Sequence, residues 1–274
     1  MSQHFKSQHF KRLITGLIAA PILFIFIIYS SEKIFFLFIL AVIQVAVWEY
    51  NRLVFSKKGN AWEKGEVSFF AFVIPLAAYL SDFTIITAVV TSCLFICFLI
   101  FLFQIGGEEI DISKIGKVIL GFMYMPLLMS YFILLRLLPE GVLWVFFTLT
   151  VAFSGDVFAF YIGKTIGKRK LQPFISPGKT VAGTAGLIIG SVAGGILFQK
   201  FAFTNLPLAH AVILGGFCGI MGQLGDLFES AIKRAVDAKD AGFIFPGHGG
   251  ILDRLDSLTF IAPFVFYYQH FVMK

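Results

Sequence analysis

Between Gly222 and Ser257 the chain gathers Asp226, Glu229, Asp237, Asp240, Asp253 and Asp256 with Lys233, Arg234, Lys239 and Arg254. Asp226, Glu229 and Ser230 follow at i, i+3 and i+4, and Asp253 and Asp256 repeat the i, i+3 spacing. On helices, each set shares one face. Two carboxylate pairs on neighbouring helix ends make a hard-oxygen site suited to Mg²⁺. The plainer alternative is that each acid pairs with a nearby base such as Arg234 or Arg254. Between the two sets runs Phe245-Pro246-Gly247-His248-Gly249-Gly250. Its glycines let consecutive backbone N–H groups point inward, and a following helix N-terminus adds partial positive charge, which together form an anion cradle. His248 either donates to a phosphate or caps the helix. Alternating acids and bases around a glycine-rich turn suit a polyphosphate held with a cation.

A second polar stretch lies upstream. Ser176-Pro177-Gly178-Lys179-Thr180 offers hydroxyls, a turn and a cation, but not the spacing of a P-loop. Lys168, Arg169 and Lys170 beside it also fit a loop that only sets topology. Asp156 sits in the apolar run AFSGDVFAFYIG, where an acid is costly unless it pairs with a base or serves a site. Glu49, in VAVWEYNRL, is accounted for by pairing with Arg52 at i+3.

The elements that must hold these residues are membrane helices. Of the 274 residues, 58% are hydrophobic and 14% charged, with 35 Phe; a soluble domain carries about a quarter charged residues. The apolar runs approach bilayer length and do not alternate as barrel strands do. They predict an all-α, polytopic integral membrane protein of about nine transmembrane helices, near 13–30, 34–55, 67–81, 84–105, 115–138, 142–163, 181–203, 208–229 and 250–271, the third being short. With that count, 18 of the 22 Lys and Arg fall on one side of the membrane and 4 on the other. The excess marks the cytoplasmic side, which receives the N-terminus and both polar stretches, with the C-terminus outside. Three regions follow: a cytoplasmic arm (1–12) with a tandem SQHFK, a transmembrane region (13–163), and a catalytic transmembrane region with cytoplasmic loops (164–274).

The net charge of +6 is spread over loops on one membrane face, so no nucleic-acid partner is expected; the lipid bilayer is. Cys93, Cys97 and Cys218 lie inside apolar runs and read as small buried hydrophobes. Gly186, Gly190 and Gly194, and Gly215, Gly219, Gly222 and Gly225, predict close packing of the seventh and eighth spans near the site. The Phe-rich helices suit a homodimer and a lipid-facing surface equally. An ion-coupled transporter would place its acids near mid-span and show an internal repeat, and these acids cluster at the cytoplasmic ends.

The same residues resemble the signature of the phosphatidate cytidylyltransferase family, also called CDP-diacylglycerol synthases: S-x-x-K-R-x-x-x-x-K-D, a short spacer, then P-x-H-G-G-x-x-D-R-x-D. Ser230, Lys233, Arg234, Lys239, Asp240, Pro246, His248, Gly249, Gly250, Asp253, Arg254 and Asp256 fill every fixed position over about 27 residues. GDLFES and ISPGKT also look like family elements, so the motifs cover about the last 120 residues. The family's usual glutamate before the glycine of SPxKTxEG is replaced here by Ala182. The resemblance implies transfer of CMP from CTP to phosphatidic acid, with Mg²⁺, giving CDP-diacylglycerol and pyrophosphate in a bacterial cytoplasmic membrane. It leaves a second cation open. Under it, Asp226, Asp253 and Asp256 hold the cation and serve catalysis with Lys233. Lys233, Arg234, Lys239 and Arg254 bind phosphates. Ser176, Lys179 and Thr180 close over the nucleotide, and Ser230, Asp240, His248, Gly249 and Gly250 complete the substrate site. Transfer to an ether lipid, or a polyprenol kinase, is the neighbouring alternative.

Overall fold

A computed structural model describes residues 21–55, 61–80, 83–103, 111–242 and 249–273. Helix α1 covers 21–29, followed by α2 (Glu32–Val54), α3 (Ala61–Leu80), α4 (Phe83–Phe103) and α5 (Ile112–Phe122). A π-helical turn (Met123–Leu127) joins α5 to α6 (Leu128–Leu137), and α7 (Gly141–Ile166) follows. A two-stranded hairpin, β1 (Lys170–Gln172) and β2 (Ser176–Thr180), leads into α8 (Val181–Phe201), α9 (Leu208–Ala235) and α10 (Leu252–Val272). With α5, the π turn and α6 taken as one rod, the described residues form nine rods, one on each predicted run. Six of these rods are long and apolar enough to cross a bilayer. The chain is an all-α polytopic membrane protein. Among those six, α4 has the highest mean hydropathy, 2.8, and the least protein cover, so lipid meets most of it.

Polar ends run further into helix than the hydropathy predicts. α3 begins at Ala61 rather than near 67 because its first turn is held from outside: Asn51 donates to the Lys64 carbonyl (3.2 Å) and to Ser68 Oγ (3.2 Å). The π turn forms around Pro126, which has no N–H to continue the helical ladder, and Ser130 Oγ returns a bond to the Pro126 carbonyl (2.5 Å).

Contacts sort the helix ends into two groups, as the loop charges do. At one end Tyr50 donates to the Lys117 carbonyl (2.8 Å), and Lys179, Asp226 and Asp253 meet their partners. At the other, Arg136 donates to the Ser30 carbonyl (2.9 Å) and Asn205 donates to Glu140 (3.0 Å).

The expected close packing of α8 and α9 is present, but of the two rows only the α9 row makes it. A Cβ on Gly186, Gly190 or Gly194 would strike Ile162, Phe158 or Ser154, so the α8 row seats α7 rather than α9. On α9 the row divides. Gly215 and Gly219 abut Val192 and Ile188 of α8, while Gly222 and Gly225 abut Ile261 and Asp256 of α10. Small residues let backbones approach closely in lipid, where no hydrophobic force drives helices together. α9 is therefore wedged between α8 and α10.

Candidate active site

The expected cytoplasmic loop at 164–180 is a short antiparallel hairpin, pairing Lys170 with Thr180 and Gln172 with Ser176. Thr180 ends the hairpin and caps α8, its hydroxyl accepting from Gly183 N (3.1 Å). That cap aims the preceding Lys179 at α9, where its Nζ lies 2.5 Å from Asp226 Oδ2. Arg234, near the end of α9, donates from Nε to the Ile175 carbonyl (3.2 Å) and from a terminal nitrogen to the Ala238 carbonyl (3.1 Å). It ties the hairpin turn to the end of α9. Below the hairpin opens a cavity of about 370 Å³, lined by Asp156, Lys164, Lys179 and Asp226 together with apolar Phe160 and Leu187.

Gly225 draws a further acid to this side. A Cβ there would strike the Asp256 carbonyl, so α9 and α10 touch backbone to backbone beside Asp226 and Asp256. The charges of Asp226, Asp156 and Lys179 reach Asp256. Those of Asp226, Lys179 and Arg254 reach Asp156. Three carboxylates and two bases share this region. Asp156 lies ten residues before the end of α7, deeper than an acid at a helix end.

Asp253 sits in a second, tighter network. Lys233 Nζ lies 2.5 Å from Glu229 Oε2 and 2.7 Å from Asp253 Oδ1. The other oxygen, Asp253 Oδ2, accepts from Ala241 N (3.0 Å) and Gly250 N (2.8 Å). Gly249 precedes this contact at φ 80°, in the left-handed region that favours glycine. The described part of the glycine turn thus gives an amide to the protein's own carboxylate.

Of the predicted substrate-site residues, Ser176 opens β2, half-buried, and Ser230 is half-buried on α9. Lys239 and Asp240 are exposed beyond α9, Asp240 lining a separate cavity of about 430 Å³ with Trp48, Glu49 and Arg52. His248 and the arm 1–12 lie outside the described residues. Ala182 is in the first turn of α8, and its neighbours Thr180 and Gly183 line the same cavity as Asp156.

Two residues escape the sequence reading. Glu49 does not pair with Arg52, which lies over the Trp48 ring at 4.7 Å; its Oε2 accepts from Leu252 N (2.9 Å), at the start of α10. Tyr124, in the π turn, packs edge-on against Phe228 at 5.2 Å between ring centres. Its hydroxyl lies beside Thr259, within reach of the charges of Glu229, Asp256 and Asp226. Pro126 inside an apolar run was the available signal for a helix irregularity there, and irregularities of this kind often sit at functional sites.

Known proteins resemble this chain along most of its length. The family model described as "Cytidylyltransferase family" matches residues 10–272. A phosphatidate cytidylyltransferase of Bacillus subtilis is 34% identical over 262 residues, covering 94% of this chain and 96% of its own. One from Staphylococcus saprophyticus is 40% identical over 56% of this chain and 55% of its own. An uncharacterized protein of Escherichia coli is 36% identical over 60% of this chain and 56% of its own.

Proposed function

This chain belongs to the cytidylyltransferase family, and we propose from that premise that it transfers CMP from CTP to phosphatidic acid, releasing pyrophosphate. The carrying observation is the cavity beneath the hairpin, which sets Lys179 and Lys164 beside Asp226 and Asp156 at one end of the membrane helices. The positive-inside charge pattern supports that end as the cytoplasmic face, where a soluble triphosphate and a bilayer phosphate meet. The reaction joins two anions, so the protein must align them and offset their charge. An oxygen of the lipid phosphate attacks the α-phosphorus of CTP. The new P–O bond forms as the bond to the β-phosphate oxygen breaks. A phosphate monoester is already nucleophilic near neutral pH, so no separate strong base is needed. Lys179 and Lys164 receive the triphosphate, Arg254 supports it from α10, and apolar Phe160 and Leu187 admit the lipid side.

A divalent cation fits the donor chemistry on this side. Asp226 and Asp256 are hard oxygen donors on touching helices, with Asp156 in electrostatic range. Among the described residues no three acids, histidines or cysteines converge on one point, and Lys179 is on Asp226. Asp226 and Asp256 would hold Mg²⁺ once that ammonium moved to phosphate. Bound there, Mg²⁺ would supply charge neutralisation at the phosphates. Asp253 fits differently, because Lys233 and two amides hold its oxygens and it serves to position Lys233 and the glycine turn. Asp156 takes the place of the carboxylate missing at Ala182.

The test is purified protein in phosphatidate-containing bilayers, with release of pyrophosphate and CDP-diacylglycerol followed across nucleotides, lipid acceptors and metals. CTP, phosphatidate and Mg²⁺ together are expected to give product, and chelation to stop it reversibly. Turnover with a polyprenol or an ether lipid but not with phosphatidate would sink the substrate assignment.

A further inference from the structure

Glu49 comes from α2, in the part of the chain that the signature motifs do not cover, yet it meets Leu252 across 203 residues of sequence. It is 1% exposed. A buried carboxylate is costly unless bonded, and the start of α10 offers what it needs. Leu252 N donates to it at 2.9 Å, and the Ile251 amide sits beside it. The positive end of the helix dipole adds to both. The contact also shapes its surroundings. A Cβ on Gly242 or on Gly250 would strike the Glu49 carboxylate, so both backbones are seated on it. Asp253 grips the same two places from the other side, accepting from Ala241 N and Gly250 N. The two carboxylates thus interlock around the first turn of α10, which carries Asp253, Arg254 and Asp256.

We propose that Glu49 is a positioning residue for nucleotidyl transfer, fixing the setting of α10 so that Asp256 stays against Gly225 beside Asp226 while Asp253 holds Lys233. This rests on the cytidylyltransferase reading above. CTP is held mainly by the hairpin, α7 and α9, so loss of Glu49 acts on the chemical step rather than on nucleotide affinity. Glu49→Ala is expected to lower kcat per folded enzyme about 100-fold, the scale at which small misplacements cost catalysis, while KM for CTP changes little. Amide hydrogen exchange at Leu252 and Asp253 should quicken in the same variant. Glu49→Gln keeps an acceptor of the same length and should restore most of kcat. Should the alanine variant not fold, Glu49→Asp, one methylene shorter, carries the test with a kcat loss of about tenfold and the same faster exchange. An alanine or aspartate variant with wild-type kcat overturns the proposal, as does a glutamine variant no better than alanine, or a loss that tracks only the amount of folded protein. If wild type makes no CDP-diacylglycerol, the functional reading fails instead, and exchange at Leu252 still reports whether Glu49 holds α10.

Discussion

Two ion-pair networks, centred on Asp226 and Lys233, sit about two turns apart on α9, and they use similar residues in opposite ways. At Asp226 a single lysine crosses from the hairpin, and the two side chains are 18% and 33% exposed at the edge of an open cavity. At Lys233 two carboxylates converge with exposures of 4% and 10%, and backbone amides fill the remaining oxygen of Asp253. The first pair has a single contact and borders the cavity through Asp226, so under the proposed reaction it exchanges partners when a phosphate or cation arrives. The second would leave buried charges unmet if it opened, so it acts as a brace. Burial and partner count, rather than residue type, separate a working charge from a supporting one.

The sharpest way to break this comparison is Asp226→Asn. It should cost about 10²–10³-fold in kcat, the scale for removing one preorganised electrostatic group. It should also raise the Mg²⁺ requirement and leave Tm nearly unchanged; near-normal turnover would erase the distinction. Asp253→Asn should show the reverse balance. Activity falls, Tm drops with the loss of about 1–3 kcal/mol for a disrupted buried polar partner, and the Mg²⁺ dependence of the remaining activity stays put. A shifted Mg²⁺ requirement in that variant would return Asp253 to the cation. Gly225→Ala tests what joins the sides. Its methyl meets the Asp256 carbonyl, so overpacking of about 1–3 kcal/mol should accompany a moderate kcat loss, read by thermal melts and turnover together. The smallest effect is expected at Arg234→Ala, where release of the hairpin turn should raise KM for CTP several-fold at nearly constant kcat. A kcat collapse there would show a direct catalytic contact.

Much of this was legible in the chain. Each apolar run coincides with a rod, because bilayer-length hydrophobicity is a local property, and loop charge sorted the ends. Spacing also put Asp226 with Glu229, and Asp253 with Asp256, on shared helix faces. What periodicity could not supply was the neighbour each face meets. Gly225 chooses Asp256 as the companion of Asp226, while Lys233 and two amides claim Asp253. Glu49 was assigned to Arg52 because i+3 partners are visible in sequence and a helix start 203 residues away is not. The hairpin was hidden because three- and five-residue strands carrying Pro177 and Gly178 have no alternation to detect.

The seat of Glu49 against Gly242 and Gly250 has a consequence for inheritance. A chimera joining the early helices of one relative to the last helices of another is expected to work only where an acid of this reach arrives together with two glycines to receive it. An exchange boundary between residues 50 and 240 separates those parts, so recombinants should sort into active and inactive classes by that trio, whatever their average likeness elsewhere.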